Sequence, residues 1–164
     1  PHLVDYKERI QINNKKISLK AIETFLNKYK NNFTVFSPSF FEIMTALAIW
    51  YFKQNKVDIA ILETGLGGKF DSVTACKNQI LGFTNIDIDH QEILGNSINK
   101  ITNQKTQAIH SHTQKVFSVQ QKDIVNKILI KRCKQKKAKQ PKAASKRERP
   151  TRTRNFLMPT NHIR

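Results

Sequence analysis

The chain has 164 residues, 38% of them hydrophobic, enough for one domain of ordinary size with its own core. Its net charge is +17, but residues 131–164 hold 13 Lys/Arg and one acid, Glu148, so residues 1–130 carry only +5. No stretch approaches the roughly 20 apolar residues of a membrane span. The chain opens PHLVDYKERI, with no signal-peptide pattern. Cys76 and Cys133 form no disulfide framework or metal-type spacing, which fits a cytoplasmic location. A start at Pro1 rather than methionine raises the expectation of missing upstream sequence.

ERIQINNKKIS (8–18) reads as a hairpin, with Ile10, Ile12 and Ile17 in alternation and Asn13-Asn14 supplying a turn that tolerates positive φ. LKAIETFLNKYK predicts a helix on Leu19, Ile22, Phe25, Leu26 and Tyr29, closed by Asn31-Asn32. In SPSFFEIMTALAIWYFKQNK, Ser39 and Glu42 are spaced as a capping box. The helix they open is apolar almost all round up to Phe52 and is expected to be largely covered by protein.

VDIAIL (57–62) and QILGFTNI (79–86) read as buried strands, KVFSV (115–119) as a third. Helices are predicted over 97–110 and from QQKDIVNKILIKRC onward. Strands alternating with helices predict an α/β fold, a mostly parallel sheet with helices on both faces. After about Gln140 periodicity stops, and QPKAASKRERPTRTRNFLMPTNHIR is expected to be disordered. The division is therefore residues 1–139 as a folded domain and 140–164 as a basic tail.

Ligands of open parallel sheets sit beyond the carboxyl ends of the strands. Glu63 directly follows VDIAIL; Asp87, Asp89 and His90 follow QILGFTNI. If those strands are neighbours, Glu63 and His90 converge at one rim, and Gly65, Gly67 and Gly68 let backbone approach a ligand. The plainer alternative is a helix cap or a solvated loop acid for Glu63, and a turn residue for His90. In the following helix, Ile98, Ile101, Lys105 and Ala108 share one stripe. Lys105 is then either a snorkelling side chain or a lysine aimed at an anionic ligand or covalently altered. Ser39 and Glu42 suffice as a cap, while Phe40 and Phe41 could line the pocket of a flat aromatic ligand. His110 and His112 are a weak metal hypothesis against simple solvation.

The order PHLVDYKERI, SFFEIMTALAIWYF, ILETGLGGKFD, FTNIDIDHQEILGNSINKI resembles the folylpolyglutamate synthase and dihydrofolate synthase family of ATP-dependent amide ligases, relatives of the Mur peptide ligases. The resemblance runs from Pro1 to about Lys139. It implies part of a P-loop-type Mur ligase central domain, an enzyme using ATP and Mg2+. Such an enzyme activates a folate or dihydropteroate carboxylate as an acyl phosphate, which the amine of L-glutamate then displaces. It implies Glu63 and His90 as magnesium ligands and Lys105 as the lysine carbamylated in the family. It also places Ser39, Phe40, Phe41, Glu42, Phe70, Asp71 and Ser72 in segments that line the folate pocket.

The chain departs from the family pattern in several places. It has no G-T-N-G-K-G-S phosphate loop, nor the metal-binding serine expected just before Pro1. The usual E-K-A-G is Gln104, Lys105, Thr106, Gln107, and the usual D-A-T-N is Asp71, Ser72, Val73, Thr74. Nothing resembles the family's second domain. The expectation is a monomer, inactive by itself. The competing expectation is a non-catalytic basic scaffold that grips nucleic acid nonspecifically through its tail.

Overall fold

The computed structural model describes residues 2–140. The expected disordered tail and its nucleic-acid binding lie, beyond Gln140, outside the described residues. Two compact units divide after Leu62, each with its own core. No described helix is long and apolar enough to cross a membrane.

In the first unit a 3₁₀ turn, Tyr6–Arg9, precedes strands β1 (Gln11–Ile12) and β2 (Lys15–Lys16), paired antiparallel. Asn13 and Asn14 take φ of 49° and 63°, the two-residue turn that matches strand twist. Helix α1 (Leu19–Phe36) starts at Ser18, whose hydroxyl accepts from the Ala21 N–H, and closes at Ser37 in the left-handed region. It runs through Asn31-Asn32 instead of ending there. Asparagine is a weak helix breaker, and packing outweighs it: Phe33 continues the stripe and its ring lies 6.1 Å from that of Phe25.

Helix α2 (Phe40–Gln54) opens on the expected capping box, with Ser39 N–H donating to Glu42 Oε2 at 2.7 Å and Glu42 N–H to Ser39 Oγ at 3.3 Å. Met44, Leu47 and Ala48 join Ile10, Ile17, Ile22 and Phe25 in the core. Phe40 and Ile49 are exposed, so α2 buries one stripe and is not covered all round.

VDIAIL is not a strand. Among the described residues no strand pairs with it, and Ile59 and Ile61 are 73% and 81% exposed. Apolar β-branched content favours an extended chain, but a strand exists only through a partner's N–H and C=O groups.

The second unit contains β3 (Ile80–Phe83), α3 (Gln91–Leu94), α4 (Ile98–Thr106), β4 (Lys115–Ser118) and α5 (Asp123–Lys136). Strands β3 and β4 are parallel, with Leu81 opposite Val116 and Gly82 opposite Phe117. Helix α4 stops at Thr106, short of the predicted 110. Ala108 and Ile109 continue in tightened turns, their N–H groups donating to Lys105 O and Thr106 O, three residues back.

Val116 of β4 is buried with Ile101 of α4, Val125, Leu129 and Cys133 of α5, and Ile86, Leu94 and Ile109; Leu81 and Phe83 pack on this cluster. The opposite face presents Ile80 and Phe117, 62% and 55% exposed. The parallel pairing is therefore as expected, but the sheet is two-stranded and α4 and α5 cover only one face. Side chains alternate across a strand, so the same KVFS run places one residue in the core and the next in solvent.

Candidate functional site around the glycine loop

The loop after Glu63 is organised by one carboxylate. Asp71 Oδ2 accepts the N–H groups of Gly65 and Leu66 at 2.7 and 2.9 Å, and Oδ1 accepts that of Val73 at 2.9 Å. The last bond caps the 3₁₀ turn Ser72–Ala75. An ionised oxygen makes such bonds short and strong, and Asp71 is buried beneath the loop it ties.

Two glycines then let the backbone close down. Gly67 has φ of +68°, and a Cβ there would lie 3.0 Å from Leu94 Cδ2. At Gly68 a Cβ would stand 2.6 Å from Lys105 O and 2.8 Å from Gln104 O. The glycine loop thus rests directly on the carboxyl end of α4, a seat that only hydrogen at the α-carbon permits. Lys105 itself is half-buried, with Ile101, Thr102, Thr106 and Ala108 buried around it. Its ammonium makes no ion pair among the described residues.

His90 ends the loop that leaves β3 and takes φ of 47°. Asp89 steadies it: Oδ1 accepts the His90 N–H at 2.8 Å, and Oδ2 lies 3.5 Å from Nε2. The loop is clamped from the segment before α5. Gln121 Oε1 accepts the Ile86 N–H at 3.0 Å, while its amide nitrogen donates to Thr84 O at 2.6 Å and to Ser118 Oγ at 3.0 Å. Lys122 Nζ donates to both oxygens of Asp87, at 2.7 and 2.9 Å. That hydrogen bond, with a second from the Ile88 N–H, holds the Asp87 carboxyl below the usual carboxylate range. Asp87 is thereby engaged with lysine.

No family model matches the chain. The dihydrofolate synthase/folylpolyglutamate synthase of Bacillus subtilis is 36% identical over 135 residues, 78% of this chain and 31% of that protein. The folylpolyglutamate synthase of Arabidopsis thaliana is 34% identical over 139 residues, 79% of this chain and 24% of that protein. Among solved structures, E. coli FolC in complex with DHPP and ADP superposes with a TM-score of 0.77 and 27% identity, over 85% of this chain and 33% of that one. The chain belongs to the folylpolyglutamate synthase and dihydrofolate synthase family. It spans about a third or less of the length of these relatives.

In this family member Glu63 heads the glycine loop as an exposed carboxylate, not at the end of a strand, because VDIAIL is unpaired. His90 is also exposed. No group of three or more His, Cys, Asp or Glu able to hold a metal ion occurs among the described residues. Magnesium takes oxygen donors, keeps several waters and binds substrate phosphates instead of requiring a complete protein cage, so the Glu63 carboxylate suits it while an imidazole such as His90 is an unusual partner.

Ser39 and Glu42 are occupied with each other at the start of α2. Phe40 is exposed, with the Arg9 guanidinium 5.7 Å from its ring centroid, and Phe41 is half-buried. Phe70 is 86% exposed and carries Lys69 Nζ at 4.7 Å over its ring. Ser72 opens the 3₁₀ turn.

Sequence reasoning named Asp71 but missed its tying role, which had a signal, an aspartate two positions before an N–H it can cap. It missed Gln121 and Lys122 altogether, and these had none, since their partners lie 35 and 37 residues away.

Proposed function

We propose that residues 1–139 supply one side of the active site of an ATP-dependent ligase that adds L-glutamate to a folate or a dihydropteroate through an acyl phosphate. The observation that carries this reading is the glycine loop: Asp71 shapes it, Glu63 heads it, and Gly68 seats it on the backbone of Lys105. A relative bound to DHPP and ADP supports the same assignment.

Glu63 and His90 are the residues that would hold Mg2+, whose chemistry there is neutralisation of phosphate charge. Lys105, half-buried on α4, becomes a carbamate when its neutral amine adds to carbon dioxide and releases a proton, turning a cation into an anion beside the loop. Phe40 and Phe41 in the first unit, and Phe70 in the second, are each aromatic faces of the kind that stack on a flat pterin ring. Ser39 and Glu42 cap the helix that bears Phe40 and Phe41, while Asp71 ties the loop that carries Phe70 and Ser72 follows at the start of the 3₁₀ turn.

The test grafts this chain into the Bacillus subtilis relative in place of the residues it matches and measures ATP-dependent glutamate addition. Activity should appear, and Glu63→Ala should lower turnover by about 100-fold. Undiminished rates from that variant would remove Glu63 from the assignment.

A further inference from the structure

We propose that His110, His112 and Arg132 form a binding site for a small oxyanion of the phosphate or sulfate type, opening into the groove between α4 and α5. The site uses none of the residues assigned above.

Beyond α4 the chain passes through His110 and His112, whose rings stack with centroids 5.4 Å apart and planes 9° from parallel. The Nε2 atom of each ring is buried without a hydrogen-bond partner. Arg132, on α5, donates from Nη2 to Gln107 Oε1 at 3.0 Å, while its Nε is likewise buried and unpaired. Buried polar atoms are ordinarily satisfied. Here three nitrogens from two neighbouring segments lack any hydrogen-bond partner.

Paired imidazoles often hold a divalent metal, but the surrounding charge argues against one here. Burial pushes the His110 ring toward its neutral form, and the charges of His112, Arg132 and Lys136 push it further the same way. The sequence has no Asp or Glu from residue 93 to 122, nor from 124 to 140. Neither the approach to the histidines nor the arginine-bearing part of α5 therefore offers a carboxylate to offset a bound cation. An anion relieves the repulsion that a metal ion would add to.

Arg132 also borders a groove of about 300 Å³, together with Asn99, Asn103, Gln107, Lys131 and Gln135. That is the lower end of small-ligand sites. Amide groups and two cations suit a polar anionic molecule, with the guanidinium fork on its oxygens. Anion binding favours the imidazolium form of His110, so a proton is taken up on binding. Affinity then falls as pH rises through the ordinary histidine range.

The experiment follows histidine side-chain resonances of the isotope-labelled full chain during titration with sodium sulfate. Ionic strength is held constant with sodium chloride, at about pH 6 and about pH 7.5. The sulfate charge does not change across this interval. The expected result is saturable shifts at His110 and His112, about tenfold tighter at the lower pH, and weakened about tenfold by Arg132→Gln. His112→Asn, a second variant with smaller effect on packing, should also weaken binding. Shifts that never saturate and match those of His2 would mean diffuse binding to surface cations and would overturn the proposal. So would saturation by zinc but not sulfate, or unchanged sulfate affinity in both folded variants.

Discussion

The α-carbon of Gly68 faces the carbonyl oxygen of Lys105 so closely that a methyl group there would lie 2.6 Å from it. This contact joins the loop headed by Glu63 to the helix bearing Lys105. The oxygen belongs to backbone, which cannot swing aside as a flexible side chain could.

Gly68→Ala should therefore destabilise the fold by about 1–3 kcal/mol through overpacking. Urea denaturation with the slope unchanged would record this as a lower midpoint. A wild-type midpoint would mean that the loop does not press on α4 in solution.

Asp71 should matter chiefly for stability. Asp71→Ala removes the acceptor for three backbone N–H groups and is expected to cost about 3 kcal/mol. Asp71→Asn keeps one acceptor oxygen and should cost about half as much. Hydrogen exchange at Gly65 and Leu66 should accelerate in both variants, more strongly in the alanine one.

Gln121→Ala leaves the buried Ile86 N–H without its acceptor, at an expected cost of about 2 kcal/mol. The signature is local: exchange of the Ile86 amide should speed up while amides of α1 in the first unit keep their protection. Equal acceleration throughout would point to general unfolding instead of a lost clamp.

The pair of Asp87 and Lys122 has a defined pH dependence. Because the folded carboxyl titrates below its ordinary range, its stabilising contribution is complete above the unfolded-state value. It is lost as pH falls through the folded value, a window below about pH 4. Lys122→Met should move the Asp87 midpoint up toward the ordinary range in a carboxylate-detected NMR titration. A midpoint that stays low would assign the shift to the Ile88 N–H instead.

Local features were legible because their cause is local. The Asn13-Asn14 turn, the Ser39–Glu42 cap and the strand core in QILGFTNI each depend on neighbours within a few positions. The failures share the opposite property. VDIAIL has every intrinsic mark of a strand, yet Ile59 and Ile61 face solvent for want of a strand to pair with. The stripe of α4 leaves Lys105 half-buried, and the Gly68 contact beside it joins residues far apart in the chain.

By itself the sequence determined where turns and helices begin, which residues carry ionisable groups, and which family motif order they follow, because capping, φ preference and periodicity act over one or two turns of chain. Only the tertiary structure decided that Asp71 ties the glycine loop, that Gln121 and Lys122 clamp the His90 loop, and that one face of the β3–β4 sheet is covered. Those outcomes depend on which distant N–H, C=O and apolar groups meet, and pairing at long range is fixed by packing.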